Sequence, residues 1–390
     1  MRIVIATGIF PPDIGGPATY SKLLAEELSK RGHEVVVVTY GSTVSREKDK
    51  IQDTKYKIQI ISQGYLKGLK HIAYCWQVFK VGKHADVIYA QDAVSAGLPA
   101  ALAAILLRKK FFIKIVGDHA WEQGMQRFGV TDLLDEFLTK KYGFAVTVLH
   151  RVQAFVASRA KRIIVPSEYL KSVVMRWGIP TVKITVIPNA ISVTRTVVSK
   201  KEARRQLGLD QNNSILISVG RLVPWKGFSM LVELMSRLQV KIPHVKLIIA
   251  GDGPERKNIE SEIAKHALKD IVVLTDSLPK EELGVYLAAS DIFCLNTAYE
   301  GFSHQLIEAM AAGIPIIATN AGGNNEILRD GENALVATYN DLVDWEEKIF
   351  QLYQDHELSN RLSYNSKSLV EQYSIERMME KTEFIPTRSG

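Results

Sequence analysis

Apolar runs four to six residues long recur along the chain, separated by stretches with helical periodicity. Arg2-Ile3-Val4-Ile5-Ala6 opens the series, an almost unbroken apolar run of the kind that fills a strand buried on both faces. A loop carrying proline and glycine, residues 11–16, leads into leucines at 23, 24 and 28, and Gly32 stands just past the last turn, where helices commonly end. Glu34-Val35-Val36-Val37-Val38 completes a strand-helix-strand unit. Further strand-like runs occupy residues 86–89, 111–116 and 162–165. After residue 190 the pattern pauses in a polar, charged stretch at 199–205. It restarts with runs at 214–220, 245–250, 271–274, 292–295 and 314–318.

Strands alternating with helices predict parallel, doubly wound sheets. The 390 residues suit two such domains, and the pause places a boundary near residue 190. Tandem domains of this kind imply a cleft, with ligands at the carboxyl ends of the strands.

The segment richest in chemistry is Tyr299-Glu300-Gly301-Phe302-Ser303-His304-Gln305-Leu306-Ile307-Glu308-Ala309-Met310-Ala311-Ala312-Gly313. It reads as a loop followed by a helix: Ser303 suits the N-cap, Leu306 and Met310 share one face, and Gly313 ends it. The N–H groups of Phe302, Ser303 and His304 would then form an anion site at the positive end of that helix. Glu300 precedes the helix and Glu308 lies in its second turn. Carboxylates repel phosphate but accept hydrogen bonds from the neutral hydroxyls of a sugar or ribose. The cations a diphosphate needs occur in Gly220-Arg221-Leu222-Val223-Pro224-Trp225-Lys226-Gly227. There Arg221 offers a planar fork and Lys226 a point charge. Alone, each is an ordinary solvated loop cation; together, at a strand's carboxyl end, they form a candidate diphosphate grip.

Gly220-Arg221…Lys226-Gly227, Ala250-Gly251-Asp252-Gly253-Pro254, the spacing from Glu300 to Glu308 and Gly322-Gly323-Asn324-Asn325-Glu326-Ile327, taken in this order, resemble the donor domain of the retaining GT-B glycosyltransferases of family four (group 1). The resemblance covers almost the whole chain and is strongest over 214–337. It implies a GT-B fold, two Rossmann-like domains facing a central cleft. The first, 1–190, would bind the acceptor and the second, 191–370, the donor. Residues 371–390 would return to the first domain, since Tyr373-Ser374-Ile375-Glu376-Arg377-Met378 resembles the family's returning helix. By the same resemblance Arg221 and Lys226 bind the diphosphate, Glu308 the ribose hydroxyls and Glu300 the sugar hydroxyls near the reacting carbon. The amides of Phe302, Ser303 and His304 face sugar and phosphate. Gly16, closing Phe10-Pro11-Pro12-Asp13-Ile14-Gly15-Gly16, lets backbone approach the donor phosphate. Two departures stand out. Ser303-His304-Gln305 replaces small or aliphatic residues. Val116 takes the place of a family histidine, with Asp118 and His119 two and three residues later; these are taken as active-site residues.

The implied activity is a retaining, hexosyltransferase-like transfer from a UDP-, GDP- or ADP-sugar to a glycan or lipid-linked acceptor, in glycan, lipopolysaccharide or glycolipid biosynthesis. No Asp-x-Asp sequence and no His/Cys cluster with metal-ligand spacing occurs, so the reaction is expected to need neither metal nor cofactor. Two rivals stay open: a GT-B sugar-nucleotide epimerase, distinguished by turnover without acceptor, and a non-catalytic nucleotide-sugar-binding protein.

Charge adds one further expectation. Residues 1–190 carry 27 Lys and Arg against 15 Asp and Glu, or +12, while the remainder carries 22 against 27, or −5. A basic half meets something anionic or is simply a solvated surface. Its cations include Lys67, Lys70, Arg108-Lys109-Lys110 and Lys140-Lys141, and an anionic membrane surface is a candidate partner. The stretch 140–162 mixes apolar and basic residues and is open to two readings, a peripheral membrane helix or a helix with its stripe on the core. Nucleic-acid binding is not expected, since no such motif occurs. The apolar stretch 95–107 falls short of the ~20 residues that cross a bilayer. Two distant cysteines, Cys75 and Cys294, fit a reducing compartment. A cytoplasmic protein, free to sit on the inner membrane face, is the expectation.

Overall fold

The structure, a computed structural model, describes residues 1–41, 56–62, 64, 68–191 and 198–387. Two compact units emerge: Met1–Ala190 with the residues from Glu376 onward, and Ile191–Ile375. In the first, strands β1 (Arg2–Thr7), β2 (Glu34–Gly41), β3 (Lys57–Ser62), β4 (Val87–Ala90), β5 (Lys110–Lys114), β6 (Arg162–Val165) and β7 (Ile184–Val186) form one sheet, ordered β3-β2-β1-β4-β5-β6-β7. Every pairing among the described residues is parallel. In the second, β8 (Ser214–Val219), β9 (Val245–Ala250), β10 (Val272–Thr275), β11 (Ile292–Leu295), β12 (Ile316–Thr319) and β13 (Leu335–Ala337) run β10-β9-β8-β11-β12-β13, again parallel.

Strands β3, β7 and β13 go unannounced by the apolar pattern. β3 is an edge strand whose residues are mostly half-exposed, and β7 and β13 are only three residues long. The expected run at 111–116 is shorter as a strand: β5 ends at Lys114, and Val116 is exposed. The run at 314–318 begins two residues later, at Ile316.

Successive strand residues feed opposite sides of the second sheet, as the period of two requires. Val245, Leu247 and Ile249 pack with Trp345 and the helix Phe228–Lys241 on one side. Ile248 and Ala250 join Leu306, Ile307 and Met310 on the other. In each sheet the order reverses once, at β1/β4 and at β8/β11. Loops leaving these neighbouring strands diverge, which opens a crevice at their carboxyl ends.

Candidate active site

At the second reversal, main-chain contacts decide where the loops lie. Leu222 N–H bonds Asp252 O at 3.0 Å, and Glu255 N–H bonds Leu222 O at 3.0 Å. These bonds press the turn after β9 onto the loop after β8. A Cβ on Gly251 would lie 1.9 Å from Gly220 O, so no side chain fits there. The loop after β11 is tied in as well. Ala298 N–H donates to Trp225 O at 2.8 Å, and Asn296 Nδ2 donates to Gly227 O at 3.0 Å and to Asn340 Oδ1 at 2.8 Å. Gly227 has φ 49°, and a Cβ there would meet Asn296 Nδ2 at 2.2 Å. The motif glycines are therefore a packing requirement of the backbone, and the loops they join carry the charged side chains.

These bonds bring Lys226 beside Glu300. Lys226 Nζ forms an ion pair and hydrogen bond with Glu300 Oε1, and both residues are only 8% exposed. A Cβ on Gly220 would sit 3.4 Å from Lys226 Nζ, so the ammonium folds back over the end of β8. Glu300 is held from its backbone too, since its carbonyl accepts Gly323 N–H at 2.8 Å, which gives the Gly322–Glu326 turn its place. Arg221 is exposed, one residue past Gly220. Sequence reasoning sent Lys226 to phosphate and Glu300 to sugar. The structure joins the two side chains, and no local signal announces a pairing across 74 positions.

The helix following Glu300 is His304–Ala312. Ser303 caps it, its Oγ accepting Leu306 N–H at 3.3 Å, and Gly313 ends it in the left-handed conformation at φ 71°. The amides of the first turn thus leave one end at the mouth of β11. His304 and Glu308 are half-buried. Burial pushes the Glu308 carboxyl up to about 7, with the ammonium of Lys280 opposing the shift. Lys280 itself is lowered by burial and raised again by Glu308 and Glu281. This Lys280–Glu308 relation had no counterpart in the sequence reading.

In the first unit, Gly16 is the first residue of the helix Gly16–Lys30, whose start lies past the end of β1. The unusual backbone belongs to its neighbour Gly15, at φ 156°. Asp118 is fully buried, and both its oxygens are engaged. Oδ1 caps the helix His119–Arg127 by accepting Trp121 N–H at 3.0 Å, and Oδ2 accepts Trp177 Nε1–H at 2.9 Å. These bonds give Asp118 a part in holding the helix start and the Trp177 ring. His119, the first residue of that helix, is half-buried. Burial and Arg127 lower its pKa, while Asp92 and Asp118 act in the opposite sense. Lys114 is fully buried with Nζ 3.4 Å from the centre of the Tyr20 ring, and burial drives its pKa well down. Lys67 lies outside the described residues. Among them no cluster of three or more His, Cys, Asp or Glu is arranged to hold a metal ion, and no helix is long and apolar enough to cross a membrane.

Two Rossmann-like parallel sheets, with cations, carboxylates and a capped helix start at the mouth of the second, define the GT-B class of sugar-transferring enzymes. Comparison with known proteins gives the family. Residues 14–195 match the family description "Glycosyltransferase Family 4" and residues 199–369 match "Glycosyl transferases group 1". The chain belongs to the family-four glycosyltransferases and is an enzyme that transfers sugars. It is similar to a phosphatidylinositol N-acetylglucosaminyltransferase subunit of Arabidopsis thaliana, 25% identical over 100% of this chain and 82% of that one. It is also similar to the alpha-monoglucosyldiacylglycerol synthase of Streptococcus pneumoniae, 25% identical over 85% and 74%. Among solved structures, HepE of Anabaena in complex with UDP and glucose has the same fold over 100% of both chains, with a TM-score of 0.80 and 20% identity.

Proposed function

We propose that the second unit binds the pyrophosphate of a nucleoside diphosphate sugar at the mouth of β8 and β11. The sugar then passes, with retention and without a metal, to a glycan or lipid-linked acceptor. The observation that carries this reading is the buried Lys226–Glu300 pair beside the Ser303-capped helix start. The solved relative HepE, complexed with UDP and with UDP-glucose, supports it.

In this mechanism Glu300 keeps Lys226 in place, and its carboxylate also lies where sugar hydroxyls donate. Lys226, Arg221 and the first-turn amides lie where negative charge grows as the sugar-phosphate bond breaks. They act as preorganised positive charge, the role a metal ion fills elsewhere. The bond from the anomeric carbon to the phosphate oxygen breaks with its electron pair going to the diphosphate. The acceptor hydroxyl attacks from the same face, forming the new glycosidic bond, and its proton passes to the departing phosphate oxygen. Glu308, ionised, accepts hydrogen bonds from the ribose hydroxyls. The lipid names of two relatives, phosphatidylinositol and diacylglycerol, favour a lipid-linked acceptor.

The test is a thermal-stabilisation screen of UDP-, GDP- and ADP-sugars against the wild type and Lys226→Ala. One nucleotide class should raise the wild-type Tm and lose that effect in the variant. Equal stabilisation of both proteins would remove Lys226 from the site.

A further inference from the structure

Lys280 stands where its own helix does not favour a cation. It is the first residue of the helix Lys280–Ala289. Free N–H groups give that end of a helix a partial positive charge, so acids suit it and ammonium groups do not. Glu281 and Glu282 meet that preference in the same turn, and Lys280 runs against it. A lysine at a helix start also has an easy course into solvent, yet Lys280 is half-buried. Leu283 and Leu287 follow it at intervals of three and seven, which puts all three on one helical face. Both leucines pack into the cluster that holds Leu306, Ile307 and Met310. The stem of Lys280 therefore lies along the face turned to the helix His304–Ala312.

Across from it stands Glu308. Burial raises the Glu308 carboxyl to about 7 even with the ammonium of Lys280 opposing. Burial lowers Lys280, and Glu308 and then Glu281 act to raise it. The helix of Glu308 also packs on the helix His356–Ser368 and on the turn Val370–Tyr373. The charges there lie elsewhere: Lys367 Nζ is 3.6 Å from where a Cβ on Gly313 would stand, at the far end of the Glu308 helix, and Glu371 belongs to the turn. His304 precedes Glu308 by one turn on its own helix. A carboxyl that receives ribose hydroxyls must be ionised, because protonation removes an acceptor and presents a donor in its place.

We propose that Lys280 is a positioning residue of the donor site: its ammonium, held across from Glu308, keeps that carboxylate charged and ready for the ribose hydroxyls at neutral pH. Without the ammonium, burial acts on Glu308 unopposed and its proton leaves only at higher pH. Lys280 need not touch the nucleotide to do this. The inference rests on the ribose-binding role given to Glu308 above, and the experiment separates the two.

UDP-glucose, GDP-glucose and ADP-glucose are titrated calorimetrically into the full chain at about pH 8, and the tightest binder becomes the probe. Its affinity is then followed from about pH 5.5 to about pH 8.5 in the wild type, Lys280→Met and Lys280→Arg. Wild-type affinity should climb with a midpoint near 7. In Lys280→Met the midpoint should move up by about one pH unit, which near neutrality reads as a roughly five-fold weaker affinity. At the alkaline end the two proteins should agree within about two-fold, and Lys280→Arg should keep the wild-type profile. Lys280→Gln, with a polar end at the half-buried position, takes the place of the methionine variant should that one unfold. A flat wild-type profile would overturn the ribose role of Glu308 and this proposal with it. A sloping wild-type profile with an unmoved midpoint in Lys280→Met would overturn this proposal alone. A loss of equal size at every pH would make Lys280 a direct nucleotide contact and overturn it as well.

Discussion

Replacing Lys226 with alanine removes a cation with two separable roles. Lys226 and Glu300 are each 8% exposed and paired, so the variant leaves the Glu300 carboxylate in the loop junction without its paired ammonium. Stranding one member of a buried pair costs about 3–5 kcal/mol, against a typical domain stability of about 5–15 kcal/mol. The variant should therefore fold, with a Tm lower by about 6–20 °C at roughly 2–4 °C per kcal/mol. A charge-assisted hydrogen bond to the leaving phosphate adds about 1.5–3 kcal/mol of transition-state stabilisation. Its loss lowers kcat/KM by about ten- to 150-fold. The double variant Lys226→Met/Glu300→Gln separates the two effects, because it leaves no stranded charge. Thermal unfolding and sugar release from the stabilising nucleotide sugar, measured below the variants' Tm, form the assay. The double variant should regain most of the lost Tm and none of the lost activity. Recovery of both would mean that Lys226 serves only the fold, and an unchanged Tm in Lys226→Ala would deny the ion pair.

Asp118→Ala should lower stability by about 2–4 kcal/mol through loss of the helix cap and the Trp177 bond, with kcat per folded molecule unchanged; lost turnover at unchanged Tm would return Asp118 to the reaction. Glu308 rises from 4.5 to about 7 on burial, so the folded chain holds a proton that the unfolded chain releases. The stability it contributes is complete below pH 4.5 and is lost as pH rises through about 7. Affinity for a sugar nucleotide, whose pyrophosphate does not titrate there, should increase over the same rise as the carboxylate ionises. Titration calorimetry across that range should show the increase in the wild type and a flat profile in Glu308→Gln; a sloping profile in the variant would assign the pH dependence elsewhere. Gly251→Ala must displace the Gly220 carbonyl, and a loss of about 3 kcal/mol or more in chemical denaturation is expected; a neutral substitution would show the two loops to be loosely joined. Transfer activity should survive exhaustive chelation, and abolition by EDTA with rescue by a divalent cation would defeat the metal-free mechanism.

Much of the fold was readable because buried parallel strands announce themselves. Runs such as Ile292-Phe293-Cys294-Leu295 have no polar alternative, and the residues that end elements are local: Ser303 and Gly313 bracket their helix as the sequence implied. Edge strands with half-exposed residues, such as β3, leave no such trace. The Asp118 bonds were not legible, because a capping carboxylate and a reactive one look alike in sequence and its partner Trp177 lies 59 positions away. Lys114 passed as an ordinary strand position within Phe111-Phe112-Ile113-Lys114-Ile115, although it is fully buried.

The turn after β9 grips the loop after β8 through amide and carbonyl groups, with glycine where a side chain would intrude. A junction made of main chain is indifferent to the identity of the residues around it. Side chains around these loops can therefore vary while the loop carrying Lys226 keeps its course.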